Sequence, residues 1–246
     1  IQDRARSIYA ILCRYFFLYK KSWPRLIEIA YWPTMQILVW GLVTTYLVGI
    51  DMERSSNFFF SMLAGALLWE IFLRTQIANS FLFLEEMWSR NLGHLFISPL
   101  RPYEWIFALM SLSLIRMTLG LIPPIIVSIL LYKFSLFSLG LPLILFVLNL
   151  FLMGWWLGLI VQSLIIRYGL GIEALAWTIS ASLAPLSCVF YPVQALPEWL
   201  HPICHLLPTF YCFEAMRMIL IDNTVQWNYL LYAFGLNTLY LIATIV

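Results

Sequence analysis

The stretch FYPVQALPEWLHPICHLLP, residues 190–208, places four prolines and two histidines in an otherwise apolar segment. Proline lacks a backbone N–H and interrupts a regular helix, so this segment does not cross a bilayer as one continuous helix. It is also too apolar for a solvated loop. Because non-helical backbone at membrane depth is tolerated only against protein or a water-filled cavity, we expect the segment to dip into a membrane and to cap a protein-lined space.

The whole chain has the composition of an integral membrane protein. Of its 246 residues, 63% are hydrophobic and only 11% are charged, whereas soluble domains carry about a quarter charged residues. Such a chain cannot cover a water-facing surface, which excludes a soluble enzyme, and no nucleic-acid partner is expected. The first long apolar run begins after Arg25 and exceeds the core of a signal peptide, so a cleaved leader is not expected.

A membrane-spanning helix needs about 20 apolar residues, and six runs of the sequence are candidates. The fifth run is the shortest and contains Pro185. No soluble domain fits between the runs, so we predict an all-α membrane protein with a single domain over residues 1–246. Its six predicted transmembrane helices are 26–48, 58–84, 105–131, 141–166, 174–190 and 228–246.

Basic residues outside the runs predict the orientation. With a cytoplasmic N-terminus, the inner side carries nine lysines and arginines and the outer side only Arg54, Lys133 and Arg217, which is a positive-inside bias. Both termini are therefore predicted to be cytoplasmic, and residues 191–227 to form an extracellular cap region. Residues 1–22 are predicted to form an amphipathic helix along the inner headgroups, because apolar side chains recur at helical spacing at Ile8, Ile11, Leu12, Tyr15 and Tyr19.

The cytoplasmic loop LEEMWSRNLGHLFISPLRP, residues 84–102, contains a second helical pattern. Trp88, Leu92, Leu95 and Phe96 have the spacing of one apolar stripe, which predicts a helix over 85–98 beneath the membrane. This helix either only connects two spans or offers its polar groups to a cytoplasmic partner. In the second interpretation the contacts are Glu85, Glu86, Trp88, Arg90, Asn91 and His94, with the loop RYGLGIEA, residues 167–174, as a weaker second contact.

Three charged residues fall inside the predicted spans. Glu70 and Arg74 are four residues apart in the second span, and Arg116 is near the middle of the third. Counting outward from the loop between these spans puts Glu70 and Arg116 at similar depth, so we predict that Glu70 pairs with Arg116, Arg74 or both. An unpaired charge at mid-bilayer costs about 2.5–3.5 kcal/mol. The group is either a structural clamp between two helices or a polar element of a substrate path.

Small and hydroxylated residues mark two other spans. Gly154 and Gly158 in the fourth span have the small-xxx-small spacing of closely packed helices, either within one subunit or between two. Thr178 and Ser182 in the fifth span either line a cavity or hydrogen-bond to their own helix.

The cysteines and histidines of the cap region do not predict a metal site. The spacing of His201, Cys204, His205 and Cys212 matches no standard zinc finger. A disulfide between Cys204 and Cys212 is compatible with an oxidising outer compartment, and free buried thiols are the default interpretation.

The segment CVFYPVQALPEWLHPICHLLPTFYCFEAMR, residues 188–217, resembles the extracellular region of ABC-2-type transporter permeases. In that family an aromatic-proline pair precedes Leu-Pro-x-Trp-Leu, then Leu-Pro, then a glutamate and an arginine. The matching residues here are Phe190, Tyr191, Pro192, Leu196, Pro197, Trp199, Leu200, Leu207, Pro208, Glu214 and Arg217. The loop after the second span is similar to the family in the order of Leu95, Ser98, Pro99 and Leu100.

The resemblance implies a permease subunit of an ATP-driven exporter in the inner cell membrane. Two copies, or one copy and a homologous permease, would form the translocation path under a cap marked by Tyr191, Pro192, Pro197, Trp199 and Pro208. The chain contains no G-x-x-x-x-G-K-[ST] phosphate loop. ATP and Mg²⁺ are therefore expected on a separate ATP-hydrolysing subunit, with no cofactor and no enzymatic activity on this chain.

The resemblance does not define the substrate, for which the aromatic-rich interior suggests an amphiphile, a drug-like molecule or a lipid-linked glycan. The alternative function is an ion-gradient-driven secondary transporter or channel. In that alternative, Glu70, Arg74 and Arg116 would form an ion relay.

Overall fold

A computed structural model of the chain describes residues 2–50, 56–97 and 101–245, and every regular element in these ranges is helical. The predicted all-α class is thereby confirmed. Ser98, the last residue of the predicted 85–98 helix, and the family-like residues Pro99 and Leu100 lie outside the described residues. The α-helices are α1 Gln2–Lys20, α2 Trp23–Ile50, α3 Ser56–Trp88, α4 Leu92–Ile97, α5 Pro102–Tyr132, α6 Pro142–Tyr168, α7 Leu175–Leu186, α8 His201–His205, α9 Pro208–Asp222 and α10 Trp227–Ile245.

Five of these helices are long and apolar enough to cross a membrane, namely α2, α3, α5, α6 and α10. They coincide with five of the six predicted runs, because a sustained apolar stretch of this length has no other low-energy environment. A bent pair formed by Glu198–His205 and Pro208–Asp222 is the sixth candidate.

The predicted fifth span, 174–190, is shorter in the structure. α7 has 12 residues, which corresponds to about 18 Å, whereas the hydrocarbon core is about 30 Å thick. The helix ends after Pro185, and Cys188 adopts a left-handed conformation with φ +51°. Gly65 of α3 lies directly against the carbonyl oxygen of Val189. Since Gly65 is nine residues into α3, or about 14 Å, the chain leaves the helical conformation at membrane depth.

The predicted cap region, 191–227, contains both a dipping segment and a core helix. Tyr240 donates a hydrogen bond to the carbonyl of Leu206 at 2.9 Å, and Tyr240 lies 13 residues into α10, about 20 Å along the helix. From this depth α9 continues at an angle of 101° to the preceding helical segment, Glu198–His205. α9 buries Phe213 and Met216 completely, so residues 208–222 of the predicted cap region pack in the core of the bundle.

α3 is the central helix, because it contacts α2, α5, α6, α7 and α9. Gly154 and Gly158 of α6 lie against Thr75 and Asn79 of α3 in the same chain. Buried amides add hydrogen bonds across these contacts: Gln162 donates to the carbonyl of Asn79 at 2.9 Å, and Ser180 of α7 donates to Gln76 at 2.7 Å. The close approach within one subunit, one of the two interpretations of the glycine spacing, is therefore present.

We call the end of the bundle that carries α1 and α4 the basic end, and the opposite end, which carries the start of α3 and the start of α10, the cap end. At the basic end, Ile11, Leu12 and Tyr15 of α1 pack against Leu82 of α3 and Leu109 and Leu112 of α5. The apolar stripe of α1 thus covers protein, and the neighbouring Phe16, which is 65% exposed, is left to face lipid.

Candidate functional site

A wide cavity of about 670 Å³ lies between α2, α3 and α7. α2 contributes Glu28, Trp32, Gln36 and Trp40, each four residues after the one before. This ladder of polar and aromatic side chains in an apolar helix was not among the predicted site residues, although its spacing is a signal that the sequence contains. The other lining residues are Ala66, Trp69, Glu70, Leu73, Arg74, Ile77, Trp177, Ala181, Ala184 and Phe190.

Phe190 covers this cavity at the cap end. Its ring stacks on that of Trp40 with a centroid distance of 3.9 Å and an interplanar angle of 20°. The first residue of the proline-rich stretch therefore forms part of the wall of a protein-lined space.

Hydrogen bonds at the end of α7 hold this cap in place. Tyr191 donates to the carbonyl of Pro185 at 2.7 Å. Arg217 of α9 is buried and donates to the carbonyl of Cys188 and to Glu214, both at 2.6 Å. Glu214 and Arg217 of the family-like segment thus pair with each other, and Arg217 fixes the chain where it leaves α7.

The remaining predicted cap residues lie outside the cavity wall. Pro208 is buried in the first turn of α9, where a proline ring suits the helix start. Pro192 and Pro197 are exposed, and Trp199 is 72% exposed. All four cysteines are free thiols. In the described part of the chain, no group of three His, Cys, Asp or Glu side chains is placed to hold a metal ion.

Glu70 and Arg74 form an ion pair inside the bundle. Arg74 Nε donates to Glu70 Oε2 at 2.7 Å, and the two side chains are 14% and 2% exposed, respectively. Both line the wide cavity, so the pair presents polar atoms to its interior. The pair joins successive turns of one helix and is not a clamp between two helices.

Arg116 lies lower in the bundle than the loop count predicted. Trp155 accepts a hydrogen bond from Asn79 of α3 through its carbonyl and donates one to Ser113 of α5 through its indole. Asn79 and Ser113 are therefore near the same depth, which places Arg116 level with Gln76 and about 9 Å from Glu70 along the helix axis. The two arginines line a small cavity of about 60 Å³ next to the wide one. The prediction counted residues back from Glu85, whereas α3 continues to Trp88 before the chain turns.

Thr178 and Ser182 do not line the wide cavity. Both are exposed, and they donate hydrogen bonds to the carbonyls of Ala174 and Thr178 at 2.9 and 2.8 Å. Residues one position away on the helix, Trp177 and Ala181, form the cavity wall instead. Of the two interpretations for these hydroxyls, the structure shows the hydrogen bond to their own helix.

The predicted 85–98 helix is divided at Arg90. The N–H of Arg90 donates to the carbonyl of Met87 and that of Asn91 to the carbonyl of Glu86, both at 3.0 Å. Arg90 itself is left-handed with φ +54°. This is the Schellman ending of a helix, so residues 85–88 belong to α3 and α4 is a separate short helix. Trp88, Arg90 and His94 are exposed at this turn.

Glu86 was predicted to face a partner, but the structure buries it. The Glu86 carboxylate accepts hydrogen bonds from Tyr15 at 2.6 Å and from Asn91 at 2.6 Å, and it pairs with Arg14 at 2.9 Å. Burial and this carboxylate raise the pKa of Tyr15 well above its usual value, so the phenol stays protonated and donates. Glu86 thus attaches α1 to the end of α3, and its buried carboxylate is occupied by these three partners.

The other predicted contacts of the loop divide between buried and exposed positions. Glu85 is half-buried and lies 3.7 Å from Arg25 at the start of α2. Trp88 donates its indole N–H to Glu173 at 3.1 Å, which joins the end of α3 to the second candidate loop, 167–174. Trp88, Glu173, Arg90 and His94 therefore form one exposed surface, which we call the turn surface.

Replacing Tyr15 with phenylalanine should weaken the attachment of α1. A hydrogen bond to a charged group contributes about 1.5–3 kcal/mol, and the Glu86 carboxylate would lose its buried donor. We expect a lower thermal stability of the purified protein and faster tryptic cleavage after Arg14 and Lys20. Tyr9→Phe is the matched control, because Tyr9 is an exposed tyrosine of the same helix. Equal behaviour of the two variants would contradict a role for the Tyr15–Glu86 bond.

The sequence of this chain matches a known protein family. No curated protein matches the chain significantly. The family model described as ABC-2 type transporter matches residues 6–221, which runs from α1 through α9 and includes the wide cavity, the turn surface and the cap. The match covers most of the chain and agrees with the resemblance found in the proline-rich segment. The chain is therefore a multi-pass membrane protein that belongs to the ABC-2 type transporter family.

Proposed function

We propose that this chain is the permease subunit of an ATP-driven exporter, that two copies form the translocation path, and that separate ATP-binding subunits power it. The observation that carries the proposal is the wide cavity. It combines four tryptophans and Phe190 with the Glu70–Arg74 pair, so it offers apolar surface and a few fixed polar groups, as ligand sites in proteins do. Family membership supports a role in transport.

The open side of the cavity supports a dimer. Trp32 of α2 and Trp177 of α7 line the cavity and are 54% and 49% exposed. A second copy, or a homologous permease, facing this side would cover both tryptophans and enclose the path between two subunits.

The turn surface is the proposed docking site of the ATP-binding subunit. The basic end carries the lysines and arginines that favour the cytoplasmic side, so both termini would lie in the cytoplasm of a cell whose inner membrane holds the protein. Exposed Trp88, Arg90 and His94 are available there, together with Ile97, which is 86% exposed. ATP and Mg²⁺ would be bound by the partner and not by this chain.

α3 gives the proposed coupling a mechanical basis. The helix is continuous from Glu70 to Trp88, a distance of about 27 Å. A displacement of its end by a closing ATP-binding subunit would therefore move the Glu70–Arg74 pair in the cavity wall. α1 would move with it, because Glu86 attaches the two helices. The cavity would then alternate between access from the inner side and opening past Phe190.

The experiment that tests this function is purification of the full chain from its own cell under mild conditions. A polypeptide with a phosphate-binding loop should co-purify, and transport should stop when ATP is depleted. Transport that survives ATP depletion and collapses with an uncoupler would overturn the proposal in favour of an ion-gradient-driven transporter.

Reversing the charge of the turn surface should release the ATP-binding subunit. We expect Arg90→Glu with His94→Glu to reduce co-purification of the partner about ten-fold or more, since like charges placed across an interface cost several kcal/mol. Arg90→Gly removes the charge but keeps the left-handed turn, because glycine adopts positive φ readily. It therefore distinguishes an effect of the charge from an effect of the backbone conformation. Lys133→Gln, at an exposed position near the cap end, is the matched control. Unchanged co-purification in the double variant would exclude this surface as the docking site.

A further inference from the structure

A second cleft, of about 290 Å³, lies between α1, α2 and α5 at the basic end. α1 lines it with Leu12, Phe16 and Lys20, which follow one another at intervals of four residues. α5 lines it with residues on one face of its helix, and Ile29 of α2 completes the wall. The α5 residues are Leu112, Ile115, Arg116 and Leu119. Each of the two long walls is thus an apolar stripe with a single cation.

The cleft faces outward from the bundle. Ile115 and Leu119 are about half exposed, and Phe16 is more exposed still. In a membrane these side chains meet acyl chains, whereas Lys20, in the last turn of an interfacial helix, lies at headgroup depth. None of the described residues that line the cleft is acidic. Lys20 at the end of α1 and Arg116, between Ile115 and Leu119 on α5, are two cations among apolar walls, an arrangement that complements an amphiphile with a negatively charged headgroup.

Arg116 connects this cleft to the interior. It lines the outward cleft and also the small cavity that contains Arg74. The small cavity in turn shares five lining residues with the wide cavity, of which Glu28 and Arg74 are charged and the others are Trp32, Ile77 and Trp177. A series of adjoining spaces therefore runs from Lys20 at the membrane surface, past Arg116 and Arg74, to Phe190 at the cap end.

We propose that the cleft between α1, α2 and α5 is the entry site for an acidic amphiphile drawn from the inner leaflet, with its headgroup held between Lys20 and Arg116. The proposal names the substrate class of the transporter and for that part rests on the proposed function. Its binding part stands on the cleft alone. At about 290 Å³ the cleft is near the lower end of ligand pockets, which run from about 300 to 1,000 Å³, so it suits a headgroup and the first part of a chain.

The binding part is tested on the full chain alone, purified in detergent and titrated with phosphatidylglycerol or with phosphatidylcholine of the same acyl chains. Native mass spectrometry should show preferential binding of phosphatidylglycerol. Lys20→Gln and Arg116→Gln should each weaken that binding about five-fold. Lys21→Gln should not, because Lys21 is an exposed cation next to Lys20 that does not line the cleft. Equal binding of both lipids, or an equal loss in Lys21→Gln, would overturn the proposal.

The entry part is tested on the complex with its ATP-binding subunit in vesicles of the same two compositions. Phosphatidylglycerol should stimulate ATP hydrolysis in the unmodified complex and in Lys21→Gln but not in Lys20→Gln. The Lys20 variant alters only an exposed side chain, so it stays informative if Arg116→Gln does not fold. Binding without stimulation would indicate a structural lipid and overturn the entry role. Failure to find any ATP-binding subunit would contradict the proposed function but leave the binding result unaffected.

Discussion

Replacing Arg74 with alanine should leave little folded protein after extraction from the membrane. Its guanidinium is the partner of Glu70, whose side chain is only 2% exposed, at an Nε–Oε2 distance of 2.7 Å. Removing one member of a buried ion pair costs about 3–5 kcal/mol, which is a large part of the total stability of about 5–15 kcal/mol typical of proteins. The folded fraction can be measured by size-exclusion chromatography of a fluorescent fusion, and the stability by thermal unfolding of the purified chain.

Paired substitutions distinguish this ion pair from the other pairing considered for Glu70. Glu70→Gln with Arg74→Gln should recover much of the folded fraction, because two neutral amides keep a hydrogen bond without leaving a buried charge. The charge swap Glu70→Arg with Arg74→Glu should also fold better than either single change. The swap Glu70→Arg with Arg116→Glu should not, since Arg116 lies about 9 Å from Glu70 in depth. If only the swap of Glu70 with Arg116 restored folding, Glu70 would pair with Arg116 and not with Arg74.

Run length predicted the long helices because burial in a membrane depends mainly on the number of consecutive apolar residues. It failed at residues 174–190, where hydropathy indicates membrane depth but not a complete crossing. The backbone leaves the helix after Pro185 and is held by Arg217 from a helix that follows 22 residues later. That long-range hydrogen bond cannot be read from local periodicity. For the same reason, the local sequence pattern places the apolar residues of α9 in an external region, whereas the structure buries Phe213 and Met216.

The site residues show a similar division. The i, i+4 spacing of Glu70 and Arg74 predicted a contact between neighbouring turns, which depends only on helix geometry. Glu85 and Glu86 are adjacent and chemically alike, yet Glu86 is buried because α1 packs on that side of α3. Which of the two carboxylates faces solvent depends on this packing. The break in the predicted 85–98 helix could not be predicted either, because Arg90 occupies a left-handed position at which glycine is usual.

Alanine at Gly154 should destabilise the bundle at the contact between α3 and α6. A Cβ atom there would lie 2.6 Å from the Cβ of Thr75 and 3.1 Å from the backbone nitrogen of Gln76, whereas carbon atoms pack at about 3.5–4.0 Å. Neither obstacle can rotate away, so α3 and α6 would have to separate. Overpacking of this kind costs about 1–3 kcal/mol, and Gly154→Val should cost more than Gly154→Ala.

Gly158 should respond differently, because the atom closest to its added Cβ is the side-chain nitrogen of Asn79, at 2.6 Å. Asn79→Ala removes that atom and should partly rescue Gly158→Ala while giving no relief to Gly154→Ala. Thermal unfolding of the three single variants and of the two double variants gives the coupling directly. Gly235→Ala is the control, since an added methyl there meets nothing within 4 Å and alanine favours the helix. If all three glycine variants unfold at the same temperature, the close contact between α3 and α6 does not limit the stability of the bundle.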